Sequence, residues 1–409
     1  MRRIAFLQDG FAQPRSFIRH CILAAFLFPA LICTVRDFAR SQMRISGEVS
    51  SAFIKSGGGY SQYGVNNGRG TFAWRGDLFA DALVSENVAF LGSLRVQQDQ
   101  TAHIDYFALR VSDLASTGAN LQVGQIEIPF NNLNERRFPK ENSFYSLPLM
   151  NEHLTSLDGT DYRLWVLYPG HSASGNGIHL LDRGLYDLGL KIYGSIGIFD
   201  YAGALINGMI STTGSYEAQG LNSHSGFGKV LRLAATPLTG LTIGASYAFG
   251  PFIRELNYYS PQGTYIKDSG NNLQRIAGAD VEWSMGFFSF YGQGAVNDWQ
   301  YDDLDLTAYA VSAEGRYALT PRISVASRVG SLFFNSVDAL VPLANNGSEI
   351  YFGSYSGPWD RNVTRVEGSV LYRFSRELLC KAVFQWNRTY DIKDDPSDNV
   401  FVLQTVLSL

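Results

Sequence analysis

Arg365 to Phe374 reads RVEGSVLYRF and Leu378 to Asn387 reads LLCKAVFQWN, and the order of apolar and polar side chains in these two runs decides the fold. In the first, Val366, Gly368, Val370, Tyr372 and Phe374 alternate with Arg365, Glu367, Ser369, Leu371 and Arg373. In the second, Leu378, Cys380, Ala382, Phe384 and Trp386 alternate with Leu379, Lys381, Val383, Gln385 and Asn387. Successive strand side chains point to opposite faces, so this two-residue period makes one sheet surface oily and the other charged. Leu241 to Phe249 repeats the pattern, with Leu241, Ile243, Ala245, Tyr247 and Phe249 opposed to Thr242, Gly244, Ser246 and Ala248. Segments of about ten residues with this alternation recur from Gln42 to the last residue, which is the length of a membrane-crossing strand.

A soluble sandwich alternates in the same way, so the strand ends have to decide between the two. Phe249, Phe252, Tyr258, Tyr259, Trp299, Tyr301, Phe333, Phe334, Trp359, Trp386 and Tyr390 all fall near segment termini. Aromatic belts are expected where a barrel meets lipid head groups. The chain holds 27 Phe, 22 Tyr and 41 Gly, yet its mean hydropathy is only −0.06, as befits a sheet whose two faces cancel. The reading is an all-β, transmembrane, antiparallel up-and-down β-barrel, closed so that no strand edge is left unpaired in lipid.

The one long apolar run, Cys21 to Val35, is fifteen residues long and follows Arg2, Arg3, Arg15 and Arg19. A spanning helix needs about 20 residues, so the run reads as a secretory signal over residues 1–41, with the barrel over 42–409. Ala39-Arg40-Ser41 supplies small residues for a cut before Gln42, and the other reading is an uncleaved anchor. Without that leader the chain keeps one cysteine, Cys380, and 27 Lys+Arg against 35 Asp+Glu, a formal charge of −8. Such a charge excludes a bulk electrostatic nucleic-acid binder, and a single cysteine excludes an internal disulfide. The location implied is the Gram-negative outer membrane, with lipid and the barrel-assembly machinery as partners. Phe401, Leu403, Leu407 and Leu409 alternate as an outward last strand should, although such barrels commonly end in Phe.

Tight turns at Ser85-Glu86-Asn87, Ser195-Ile196-Gly197, Thr239-Gly240 and Thr320-Pro321 alternate with long links near 55–69, 209–225, 251–271 and 334–359. Short periplasmic turns and long external loops then orient every hairpin. Counted from both ends, the orientations agree only if residues 128–183 hold no strand or an even number. Either Thr160 to Tyr168 lies within one long loop and the barrel has 16 strands, or it pairs with Asn142 to Met150 and the barrel has 18. The preferred reading is 16, with 128–183 folding inward as a constriction or plug, because so long a connection in a compact fold is usually functional.

That loop carries Glu135, Arg136, Arg137 and Lys140, which the sequence offers as a charged eyelet attracting anions. Alternation also turns Arg75, Arg95, Arg110, Lys191, Arg232, Arg316, Arg328, Arg365, Arg373 and Lys381 toward the lumen, with Asp77, Asp81, Asp280, Glu282, Glu314 and Glu367. Ten basic side chains against six acidic ones give a modest anion preference, some of them being wall ion pairs such as those around Glu314 and Arg316.

Leu121 to Phe130 (LQVGQIEIPF) resembles the V-G-Q-x-x-x-P-F segment of the phosphate-selective porin O and P family. Tyr186 to Gly194 (YDLGLKIYG), Phe199-Asp200-Tyr201 and Ala204 to Gly208 (ALING) resemble its next down-strand, turn and up-strand. The resemblance implies a water-filled channel for passive diffusion of small hydrophilic solutes or ions, and association as a homotrimer. It covers about a quarter of the chain. The family's phosphate selectivity goes with lysine-rich channels, which seven lysines in all do not make, and Asn131 stands where the family has glycine after Pro-Phe.

Two other functions are compatible with a barrel: a structural or adhesin barrel with a plugged lumen, and an outer-membrane hydrolase. His103, His153, His171, His179 and His224 sit in no nucleophile or metal motif, so neither catalysis, metal nor cofactor is expected. Asp394-Asp395-Pro396-Ser397-Asp398 lacks the spacing and glycine of a calcium loop.

Overall fold

A computed structural model describes residues 43–57, 70–98, 102–157, 177–181, 185–211, 226–252, 257–259, 265–267, 273–301, 304–345, 350–390 and 399–409. The leader expected over 1–41 and the segment Thr160 to Tyr168 lie outside the described residues.

Sixteen strands form one closed antiparallel barrel. They are β1 (Met43–Ser56), β2 (Gly70–Ser85), β3 (Val88–Gln97), β4 (Ala102–Val111), β5 (Asn120–Glu127), β6 (Tyr186–Ile196), β7 (Phe199–Ile206), β8 (Gly228–Leu238) and β9 (Leu241–Pro251), then β12 (Leu273–Met285), β13 (Phe288–Tyr301), β14 (Leu304–Ala318), β15 (Ile323–Phe334), β18 (Val363–Arg373), β19 (Leu378–Thr389) and β20 (Val400–Ser408). Each pairs with the next, and β1 pairs with β20 from Glu48↔Ser408 to Ser56↔Val400 to close the ring. Two hairpins, β10 (Asn257–Tyr259) with β11 (Tyr265–Lys267) and β16 (Ser336–Asn345) with β17 (Ile350–Pro358), stand outside the barrel sheet.

The count agrees with 16 rather than 18, because Asn142 to Met150 forms no strand; it runs as bends into a single helical turn, Leu149–Glu152. Pro148 at the cap of that turn donates no backbone hydrogen bond, which disfavours a ladder there. The second hairpin shows that the link expected at 334–359 is itself largely strand.

Burial is inside out. Val370 and Phe384, on the oily face, are each 52% exposed, while Arg365, Glu367 and Lys381, on the opposite face, are each 2% exposed. In water this arrangement would leave a belt of bare apolar side chains, so the outer wall is built for hydrocarbon. Short turns close one end of the barrel, and three of them need a left-handed residue that only glycine adopts easily: Gly197 at φ 62°, Gly240 at φ 82° and Gly286 at φ 59°. Both described chain ends, Met43 and Leu409, lie at this short-turn end, and the long connections lie at the other.

Candidate pore and its inner loop

After β5 the chain turns at Asn131 (φ 51°) and enters the barrel. The Asn131 amide donates to Ser246 Oγ of β9 at 3.1 Å, and Asn132 Nδ2 donates to Glu282 of β12. Gly278 on β12 permits this approach, since a Cβ there would stand 2.4 Å from Asn131 Oδ1. A 3-10 turn, Asn134–Arg137, carries the loop across the lumen. The Lys140 amide then donates to Glu48 Oε2 of β1 at 3.2 Å. Lys381 of β19 reaches inward and donates to the carbonyls of Pro139, Asn142 (2.8 Å) and Phe144 (3.3 Å). Arg328 of β15 holds the carbonyl of Ser146 at 2.9 Å, and Arg365 of β18 pairs with Glu152 at 2.7 Å. Ser156 finally donates its amide to Asp360 Oδ2 at 2.9 Å, just before β18. One segment is thus fastened to strands around most of the circumference.

The expected eyelet residues lie inside the barrel but are tied to its wall. Arg136 stacks over Tyr291 at 4.1 Å and lies 3.7 Å from Glu314. Arg137 pairs with Glu127 at 3.0 Å and stacks over Tyr186 at 4.1 Å. Lys140 forms no ion pair with a described residue, and the side chain of Glu135 lies outside the described part. The expected lining residues all take inward strand positions, with different company. Arg75 and Arg95 share Asp77, at 2.7 and 3.3 Å, and Arg95 also meets Asp105. Arg232 pairs with Asp280, and Arg328 with Glu367 at 2.6 Å. Glu314, expected near Arg316, instead serves Arg328 and Arg136, leaving Arg316 without an ion pair among the described residues. Arg373 is exposed at the short-turn end.

Arg110, Gln122 and Lys191 form a row, being Cα partners across β4, β5 and β6. Arg110 Nε and Gln122 Oε1 are buried without a hydrogen-bond partner. Lys191 Nζ has the Tyr193 ring at 5.2 Å and no described carboxylate within ion-pair distance.

Two of the cavities around the loop bear on passage. The outer one, about 820 Å³, lies at the long-loop side against β1, β2 and β3, and its charged lining is Arg75, Arg95, Arg137 and Glu152. The inner one, about 440 Å³, lies toward the short turns against β5 to β8 and includes Glu127, Lys191, Asp200 and Arg232. The Arg137–Glu127 pair spans the boundary, because Arg137 lines the outer space and Glu127 the inner.

The aromatic belt needs correction. Phe249, Phe333, Trp386 and Tyr390 are exposed as belt residues should be, but Phe252, Trp299, Phe334 and Trp359 are buried. Trp359 meets Trp299 at 5.4 Å and Phe334 at 4.9 Å, both edge to face. Trp299 and Phe334 sit on inward strand positions, where they pack on the loop, and Trp359 donates Nε1–H to the Thr307 carbonyl at 2.9 Å. Parity along β13 and β15 carried that signal.

No protein-family model and no curated protein matches the sequence. Among solved structures, the chain is similar to OmpT, an outer membrane protein of Vibrio cholerae, in a loop L8 deletion form: 12% identity, TM-score 0.53, over 90% of this chain and 99% of that one. It is similar to OprB of Pseudomonas putida at 12% identity and TM-score 0.53, over 90% and 94% of the two chains. Against the outer membrane channel DcaP of Acinetobacter baumannii the figures are 11% and 0.53, over 91% and 98%. The fold is that of outer-membrane porins and channels.

A porin-type barrel transports only through whatever space its interior leaves. Here the wall from β7 to β18 is filled: Phe130, Leu133, Met150 and Leu157 of the loop cluster with Ile206, Val230, Ala248 and Ile276. The larger of the two cavities lies against the opposite wall, where guanidinium groups face it and their carboxylates, Asp77 and Asp105, are buried. Glu127, Asp105, Tyr186 and Tyr291 were not singled out in the sequence. For Asp105 the reason is that it is itself the extra residue of a bulge on β4, skipped between the pairs Ser93↔Tyr106 and Leu94↔Ile104, which hides its inward position from strict alternation.

Proposed function

We propose that the chain is an outer-membrane porin, exported by a leader over 1–41, through which small hydrophilic solutes diffuse passively with a preference for anions. The observation that carries this reading is the lining of the outer cavity, three arginines against the single carboxylate Glu152, itself paired with Arg365. Lys191 adds a cation to the lining of the inner cavity, and in the same row Arg110 Nε is a buried donor without a hydrogen-bond partner. A solute entering from the loop side meets Arg75 and Arg95, passes the Arg137–Glu127 constriction, and leaves past Lys191. Charged rings select ions in this way, by lowering the energy of one sign in a narrow aqueous space.

Membership of the phosphate-selective porin O and P family belongs to the same proposal and rests on Leu121 to Phe130, where Pro129-Phe130 begins the inward turn. Phosphate selectivity is not part of it. Three-fold association is also proposed; an OmpT structure of Vibrio cholerae is described as a trimer form. The fastening of residues 131–156 around the wall favours a second reading, a plugged barrel of structural role.

Planar bilayers separate the two readings. The purified barrel is expected to give stepwise conductance, with a reversal potential in a potassium chloride gradient on the anion side. Silence supports the plug, and a cation-side reversal potential sinks the anion preference.

A further inference from the structure

On the outer wall, Lys229 of β8 and Arg275 of β12 flank Phe249 of β9 in one transverse row, each being its Cα partner. All three side chains point outward and are exposed, and the Lys229 ammonium lies 4.8 Å from the Phe249 ring. Neither cation has a carboxylate within ion-pair distance among the described residues. Arg275's Cα partner on β13 is an acid, Asp298, which accepts a hydrogen bond from Thr307 Oγ1 at 2.7 Å and lies beyond ion-pair distance of Arg275. Strands lie about 4.8 Å apart, so the two basic residues stand roughly 10 Å from one another.

Their surroundings are apolar on both sides. Toward the short turns, Leu231 and Tyr247 are exposed; toward the long loops, Phe227 and Leu273 are exposed. The cations therefore emerge within the edge of the lipid-facing band rather than beyond it, where long basic side chains lift their charge toward the head groups. Among the described residues, charge at outward strand positions of the barrel is confined to this rim. Those positions bear Lys55, Lys229, Arg275, Asp298, Asp305 and Arg388, all at the long-loop end, whereas Met43, Ile45, Trp283 and Met285 mark the other.

We propose that Lys229 and Arg275 form a docking site for a phosphate-bearing lipid headgroup of the outer leaflet, with Phe249 packed against the acyl–headgroup boundary. Complementary charge selects phosphate, and the apolar flanks select a lipid over a soluble anion. This site is separate from the pore, so its test does not depend on conductance.

The experiment uses the full barrel in detergent micelles and native mass spectrometry to count bound lipid A carrying two phosphates, against the same lipid with none. The wild type is expected to retain the phosphorylated form selectively. K229Q/R275Q is expected to lose about thirty-fold in affinity, from the attraction of two basic residues to an anionic lipid surface. R322Q/R376Q, in turns at the other end, is expected to keep wild-type binding and serves as the charge-matched control. Heat-shifted mobility in electrophoresis reports that each variant is folded; should K229Q/R275Q fail to fold, K229Q and R275Q singly carry the same test. Equal retention of both lipids by the wild type overturns the proposal, as does undiminished selectivity in the variant. So does a variant that loses its oligomer while lipid selectivity persists, since the row would then be a contact between copies.

Discussion

The two walls of the lumen solve the same problem in opposite ways. From β7 to β18 the inner loop lies against apolar side chains, and Trp299, Trp359 and Phe334 lock it in place with edge-to-face contacts. On β2 and β3 the wall is charged, Arg75 and Arg95 stand beside their acids, and a cavity of about 820 Å³ lies against them. Within the proposed pore, the loop would set both the width of the passage and the wall that a solute follows.

The largest test of this contrast is Trp359→Ala, which empties the packed wall. It is expected to destabilise the barrel by about 4 kcal/mol, as large aromatic truncations in cores do, read as a lower thermal midpoint, and to raise single-channel conductance as the loop loosens. If conductance and midpoint both stay put, the packed wall does not anchor the loop. Glu152→Ala removes the carboxylate that pairs with buried Arg365 at 2.7 Å; a loss of about 3 kcal/mol in chemical denaturation is expected. Lys381→Met keeps the volume but leaves the Pro139, Asn142 and Phe144 carbonyls without their donor. It is expected to cost about 2 kcal/mol, with noisier open-channel current. On the opposite wall, Arg75→Gln with Arg95→Gln takes the ion-pair partners from the buried Asp77 and Asp105, and a loss of about 2 kcal/mol in chemical denaturation is expected. The anion/cation permeability ratio is expected to drop about five-fold, the worth of ~1 kcal/mol for a charge some 8 Å away in a half-aqueous pore.

Sequence alternation was enough to find the barrel, its 16 strands and the inward placement of Arg75, Arg95, Lys191, Arg328, Arg365 and Lys381, because a two-residue period fixes which face a side chain takes. It did not reveal what those side chains do once inside. Arg328 and Lys381 read as pore lining, but they reach loop carbonyls, and only the path of residues 131–156 decides that. Arg136 and Arg137 read as free charges, yet each finds an acid and an aromatic ring on the barrel wall. Trp299 and Phe334 were misread for a different reason: closeness to a strand end suggested the lipid rim, while their parity pointed inward.

The segment around Pro139 to Phe144 touches both β1, through Glu48, and β19, through Lys381, and so straddles the single strand β20 that completes the cylinder. It works as an internal clasp on the joint between the first and last staves. Parting β1 from β20 has to undo bonds in the interior as well as the wall ladder, and a cylinder zipped shut around an empty bore would have had to take in its clasp through the mouth.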